Sequence, residues 1–99
     1  MKLYIIVLKT LSSGLKCAQA CHALRAFTQA YPELDKEWYE TSNNIVVLEH
    51  EDMNGTANLL EAHGLAVARF QEPDMDGALT AICVEPRGAR RLSNLRLAS

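Results

Sequence analysis

The stretch Lys16-Cys17-Ala18-Gln19-Ala20-Cys21-His22-Ala23-Leu24 sets a cation, two thiols, an amide and an imidazole among small residues. A second concentration of polar chemistry is Arg69-Phe70-Gln71-Glu72-Pro73-Asp74-Met75-Asp76-Gly77, where three carboxylates cluster. A carboxylate such as Glu72 or Asp74 suits the orientation of water or general-base work. A solvated acidic loop is the plainer account of the same residues. Thr80, just beyond, is placed to face the same region. The two thiols four residues apart raise metal ligation, but no second pair lies at usable spacing. His50 and His63 are remote in sequence, and Cys83 sits in an apolar run. Buried thiols acting as small hydrophobes are the expectation, with no metal and no cofactor.

These residues need elements to position them. An α-helix over residues 15–30, at about 100° per residue, splits the first stretch into two faces. Cys17, Ala20, Cys21 and Leu24 form a small apolar stripe suited to a sheet. Gln19 and His22 fall on another face, where neighbouring alanines leave room for a ligand; a partly exposed helix face would carry the same residues. Tyr31-Pro32 ends this helix, and Pro32 suits the first turn of a short second one through Trp38. Leu3–Leu8 and Ile45–Leu48 read as buried strands, Leu65–Phe70 as a third and Leu79–Val84 as a fourth. Asp52 or Asn54 caps a helix running to about His63, where Gly64 stands in the C-terminal cap position. The Gln71–Gly77 segment reads as a loop too short for a crossover helix, which makes the last two strands antiparallel. Pro86 opens a basic tail, partly helical, ending in Leu95-Arg96-Leu97. Strands alternating with helices predict an α/β fold, three layers with a four-stranded mixed sheet, over one domain spanning 1–99.

The chain has 99 residues and is 48% hydrophobic, enough for one ordinary globular core. Its longest apolar run, Leu3–Leu8, is far too short to span a bilayer, and no cleavage pattern follows it. With an odd number of cysteines, three, a reduced cytoplasmic protein with no membrane partner is expected. The formal charge of −2 hides an asymmetry. Residues 1–32 and 86–99 each carry +4 with no acid, and all twelve carboxylates lie between Glu33 and Glu85. If the basic ends meet, they offer a face for a polyanion; otherwise they pair with the acidic middle.

The order of landmarks resembles the peptidyl-tRNA hydrolase family of the archaeal and eukaryotic type, which has bacterial and phage members. The resemblance runs from the strand Tyr4–Leu8 through Gly14 and Ala18-Gln19-Ala20-Cys21-His22-Ala23. It continues through Trp38, Ile45–Leu48, Gly64-Leu65, Gln71-Glu72, Gly77, Thr80, Pro86 and Leu95-Arg96-Leu97. It implies cleavage of the ester between a peptide and the 3′ ribose of tRNA, on a four-stranded mixed sheet between helices, often in a dimer. It also implies roles for a lysine, the motif glutamine and histidine, an aspartate after the third strand and a threonine by the fourth. Gln19 and His22 match. The family lysine falls on Leu15, with Lys16 beside it, a rotation of about 100° on a helix. The aspartate falls on Glu72, with Asp74 nearby, and the Gly-Thr pair becomes Gly77-Ala78, leaving Thr80 two residues on.

The expected function is therefore hydrolysis of peptidyl-tRNA or a related aminoacyl-tRNA ester. Glu72 or Asp74 would activate water, and Lys16 would stabilise the oxyanion or hold the terminal phosphate. Gln19 and His22 would bind the ester or terminal adenosine, and Thr80 would support the carboxylate. Lys9, Arg25, Arg87, Arg90 and Arg91 would contact the tRNA backbone. A non-catalytic tRNA-binding or regulatory protein on the same fold is the alternative. A small interaction protein with no RNA role is a third reading, favoured by the acidic middle.

Overall fold

A computed structural model describes residues 1–99. Strand β1, Lys2–Leu8, lies at the centre of the sheet. Its unbroken apolar run fits that place, because both of its faces are covered. Leu3, Ile5 and Val7 enter one core cluster and Ile6 enters the other. Burial of each such side chain stabilises the fold by about 1.5–3 kcal/mol.

Helix α1, Ser13–Ala30, starts at Ser12, whose hydroxyl accepts from the Leu15 N–H at 3.4 Å. It stops at Tyr31, since Pro32 opens helix α2, Pro32–Thr41. Trp38 of α2 is buried, and its indole N–H donates to the Asn44 carbonyl at 2.7 Å. Strand β2, Asn44–His50, runs parallel to β1. Helix α3, Met53–Ala62, is capped by Asp52, which accepts from the Gly55 N–H at 2.9 Å. Gly64 follows with φ of +78°, a left-handed conformation that ends the helix without a Cβ penalty.

Strands β3, Val67–Glu72, and β4, Ala78–Val84, form an antiparallel hairpin. The connection contains a 3-10 turn at Pro73–Met75, then Asp76 and Gly77, both at positive φ. Pro86–Arg91 form a second 3-10 segment. The last strand, β5, Arg96–Leu97, pairs antiparallel with Leu48 and Glu49.

The sheet order is β3-β4-β1-β2-β5, so the sheet is mixed but has five strands rather than the four expected. The fifth is only two residues long and Leu97 is exposed, so no apolar alternation marks it. It forms because the outer edge of β2 is open there. One core cluster joins the sheet to α1 and α2 through Ala20, Ala23, Phe27 and Trp38. The other joins it to α3 and the tail through Met53, Ala57, Leu60 and Leu92. No helix is long and apolar enough to cross a membrane.

The stripe by which α1 meets the sheet also differs from expectation. Lys16, Gln19, Ala20, Ala23 and Phe27 are buried, whereas Cys17 and Cys21 are exposed. The helix is turned so that the large Phe27 enters the core. That rotation carries Lys16 and Gln19 under the helix, where carboxylate and hydroxyl partners meet them. Ile45 is also more exposed than a buried strand residue, since β2 lies next to the sheet edge.

Candidate active site

Three polar side chains from three elements form one chain of hydrogen bonds. Thr80 on β4 is fully buried, and its hydroxyl donates to Gln19 Oε1 at 2.6 Å. Gln19 on α1 in turn donates from Nε2 to Glu72 Oε2 on β3 at 3.1 Å. A carboxylate only accepts, so the NH2 of Gln19 must face Glu72 and its oxygen must face Thr80. The hydroxyl of Thr80 then has a fixed direction. The other oxygen of Glu72, Oε1, accepts from the Asp74 N–H at 3.4 Å. Glu72 remains partly open to solvent. Its carboxylate is thus anchored at both oxygens yet keeps lone pairs for a water molecule.

A β-bulge aims Thr80. The register passes from Phe70 opposite Ala81 directly to Gln71 opposite Leu79, leaving Thr80 as the extra residue. Simple alternation would put Leu79 and Ala81 on one face. Instead Ala81 belongs to the α1-side core and Leu79 to the α3-side core. The bulge flips the alternation and delivers the hydroxyl to α1, a known way of re-aiming a side chain beside a site. On the opposite strand the alternation holds, so Phe70 and Glu72 both look toward α1.

Next to this relay, the ring of His22 stacks on Phe70, with centroids 4.5 Å apart and planes inclined by 16°. His22 is exposed and Phe70 half-buried.

Lys16 makes different contacts. Its ammonium donates to Glu49 Oε1 on β2 at 2.9 Å and to the Ser99 carbonyl oxygen at 3.3 Å. The Ser99 N–H also donates to Glu49 Oε1, at 3.2 Å. Lys16 and Glu49 are 9% and 7% exposed, so each needs the other in place of water. The Lys16 hydrogen bond holds the Glu49 carboxyl below the usual glutamate range, against the opposing effect of burial. Leu15, the neighbour of Lys16, is 49% exposed. Lys16, Cys17, Ala20, Val47 and Ala98 line a cavity of about 230 Å³ beside this pair.

The remaining candidates are spread more widely. Asp74 is exposed, and only its backbone N–H engages Glu72. Lys9 pairs with Glu51 at 3.5 Å and lines a cavity of about 280 Å³ with Arg96. The two basic ends therefore do meet there, but Glu49 and Glu51 line the same cavity. Arg87 is clamped on the buried Glu85 through Nε at 2.6 Å and Nη2 at 2.9 Å. That contact holds the Glu85 carboxyl below its ordinary value, and Glu85 also accepts from the Ala66 N–H. Arg25, Arg90 and Arg91 are exposed and take part in none of the five ion pairs. No group of three or more His, Cys, Asp or Glu side chains gathers at metal-binding distance.

Two further residues of this region carry local sequence signals of their own. Glu49 directly follows the apolar run Ile45–Leu48, and a carboxylate in a buried strand calls for a cation. Phe70 stands two residues before Glu72, on the same side of a strand.

No curated protein matches the chain. The family model described as Peptidyl-tRNA hydrolase PTH2 matches residues 1–96, nearly the full length. With that coverage, this chain belongs to the PTH2 family of peptidyl-tRNA hydrolases.

Proposed function

We propose that the protein hydrolyses the ester joining a peptide to the 3′ ribose of tRNA, with Glu72 as the base. The observation that supports this reading is the relay from Thr80 through Gln19 to Glu72. A water molecule on the Glu72 carboxylate attacks the ester carbonyl carbon as Glu72 takes its proton. The tetrahedral intermediate then collapses, the bond from carbon to the 3′ oxygen breaks, and Glu72 returns the proton to that oxygen. A peptide acid and a free 3′ hydroxyl result. The second N–H of Gln19 Nε2 faces the developing oxyanion, and Asp74 acts through its backbone rather than its carboxylate.

Lys16 serves as a positioning residue, holding α1 against β2 so that Gln19 stays in register with Thr80. Arg25, Arg90 and Arg91 bind phosphates, and Lys9 and Arg87 add weaker attraction because each already has an acidic partner. Such binding weakens as salt rises.

The test is a time course on purified peptidyl-tRNA with protein shown to be folded by circular dichroism. Release of free tRNA supports the hydrolase reading, and no release contradicts it. A non-catalytic tRNA-binding role is the second reading. It is favoured by Leu15 in the lysine position and by the pairing of Lys16 with Glu49. It requires that wild type cleaves nothing, and that tRNA binding survives Glu72→Ala and Asp74→Ala.

A further inference from the structure

We propose that His22 and Phe70 form a stacking platform for the nucleobase of the 3′-terminal nucleotide. Two bridges cross from α1 to β3 side by side. One is the hydrogen bond from Gln19 to Glu72, and the other is the ring stack of His22 on Phe70. His22 lies three residues after Gln19, a rise of about 4.5 Å along the helix. Phe70 lies two residues before Glu72, about 6.6 Å along the strand. The stack therefore stands one step along the same seam from the carboxylate. A ribose whose 3′ ester faces Glu72 carries its own base a few ångströms away, within reach of that platform.

The pair is built for stacking rather than burial. The His22 ring lies nearly parallel to Phe70, and the residue is otherwise exposed. An exposed imidazole adds little to the core, whereas a ring already held flat loses little freedom when a base lies on it. Aromatic side chains serve this purpose in single-stranded nucleic acid binding, because every base has a π face. Arg25, one turn beyond His22 on α1, is exposed and supplies a cation for the adjoining phosphate.

The inference rests on the hydrolase reading for the orientation of the ribose, but its test does not require turnover. Two short single-stranded RNAs serve as probes, one ending in adenosine and the other ending in an abasic ribose. Fluorescence anisotropy gives their affinities for wild type, His22→Ala, His22→Phe and Phe70→Leu, each shown to be folded by circular dichroism. Wild type should bind the adenosine-ended RNA about tenfold more tightly than the abasic one. His22→Ala should abolish that difference, Phe70→Leu should reduce it, and His22→Phe should keep it. Equal binding of the two RNAs by wild type would overturn the platform, as would a His22→Phe variant that behaves like His22→Ala. Hydrolysis of peptidyl-tRNA, measured in parallel, separates the two claims. Turnover without base preference leaves the hydrolase standing and removes the platform. Base preference without turnover keeps the platform and removes the catalytic reading.

Discussion

The Thr80 hydroxyl reaches Gln19 Oε1 at 2.6 Å across the interface of β4 and α1, and it does so only because β4 bulges at Thr80. Thr80→Val keeps the shape and deletes the donor. The buried Gln19 oxygen is then left unpaired, at a cost of about 1–3 kcal/mol. The amide also becomes free to turn over, which releases Glu72. Urea unfolding should show the loss of stability, and kcat on peptidyl-tRNA should fall by about 100-fold with a smaller change in KM. Thr80→Ser, which keeps the hydroxyl, should restore most of both.

The Lys16–Glu49 pair makes a different prediction, about stability and pH. Lys16→Met leaves a carboxylate buried without its cation, so it should lower the urea midpoint far more than Lys9→Met, whose pair with Glu51 is exposed. Glu49 and Glu85 both titrate lower when folded than when unfolded, through hydrogen bonds from Lys16 and Arg87 respectively. Their stabilisation is therefore complete above the unfolded glutamate value, about 4.3, and drains away as pH falls through the lower folded values. Unfolding measured from neutral pH down into that acid range should show the decline. Glu49→Gln and Glu85→Gln should each flatten it while lowering stability at neutral pH.

Thiol chemistry follows from the rotation of α1. Cys17 and Cys21 are exposed, while Cys83 is buried and burial pushes its thiol well above the ordinary value. An alkylating reagent on the native protein should modify Cys17 and Cys21 and spare Cys83 until urea unfolds the chain. Mass spectrometry of peptides distinguishes the sites. Protection of Cys17 and Cys21 would contradict the helix orientation described here.

That orientation also shows where the sequence was legible and where it was not. The run Leu3–Leu8, the Asp52 cap, Gly64 and the Asp76-Gly77 turn each carry a local signal, and each element follows it. The buried face of α1 does not. Cys17, Ala20, Cys21 and Leu24 make a more apolar stripe than Lys16, Gln19, Ala20, Ala23 and Phe27. The second set is buried because Glu49, Glu72 and Thr80, which lie 33, 53 and 61 residues away along the chain from their partners, satisfy its polar members. Nothing local announces such partners. The bulge at Thr80 and the two-residue strand β5 are equally silent, since neither leaves a period to count. Gln19, Glu72 and Thr80 each stand out in the sequence by type and spacing, but only the fold sets the order in which they connect.

With Glu72, held by Gln19, as the carboxylate that activates water, the carboxylate of exposed Asp74 is dispensable. Single-turnover hydrolysis of peptidyl-tRNA by wild type, Glu72→Gln and Asp74→Asn separates the two carboxylates. Glu72→Gln should lower the rate by about 100-fold to 10,000-fold with the fold intact, and Asp74→Asn, which keeps its backbone N–H, should stay within a few fold of wild type. A Glu72→Gln variant as fast as wild type, or a loss of rate confined to Asp74→Asn, would rule out Glu72 as the base.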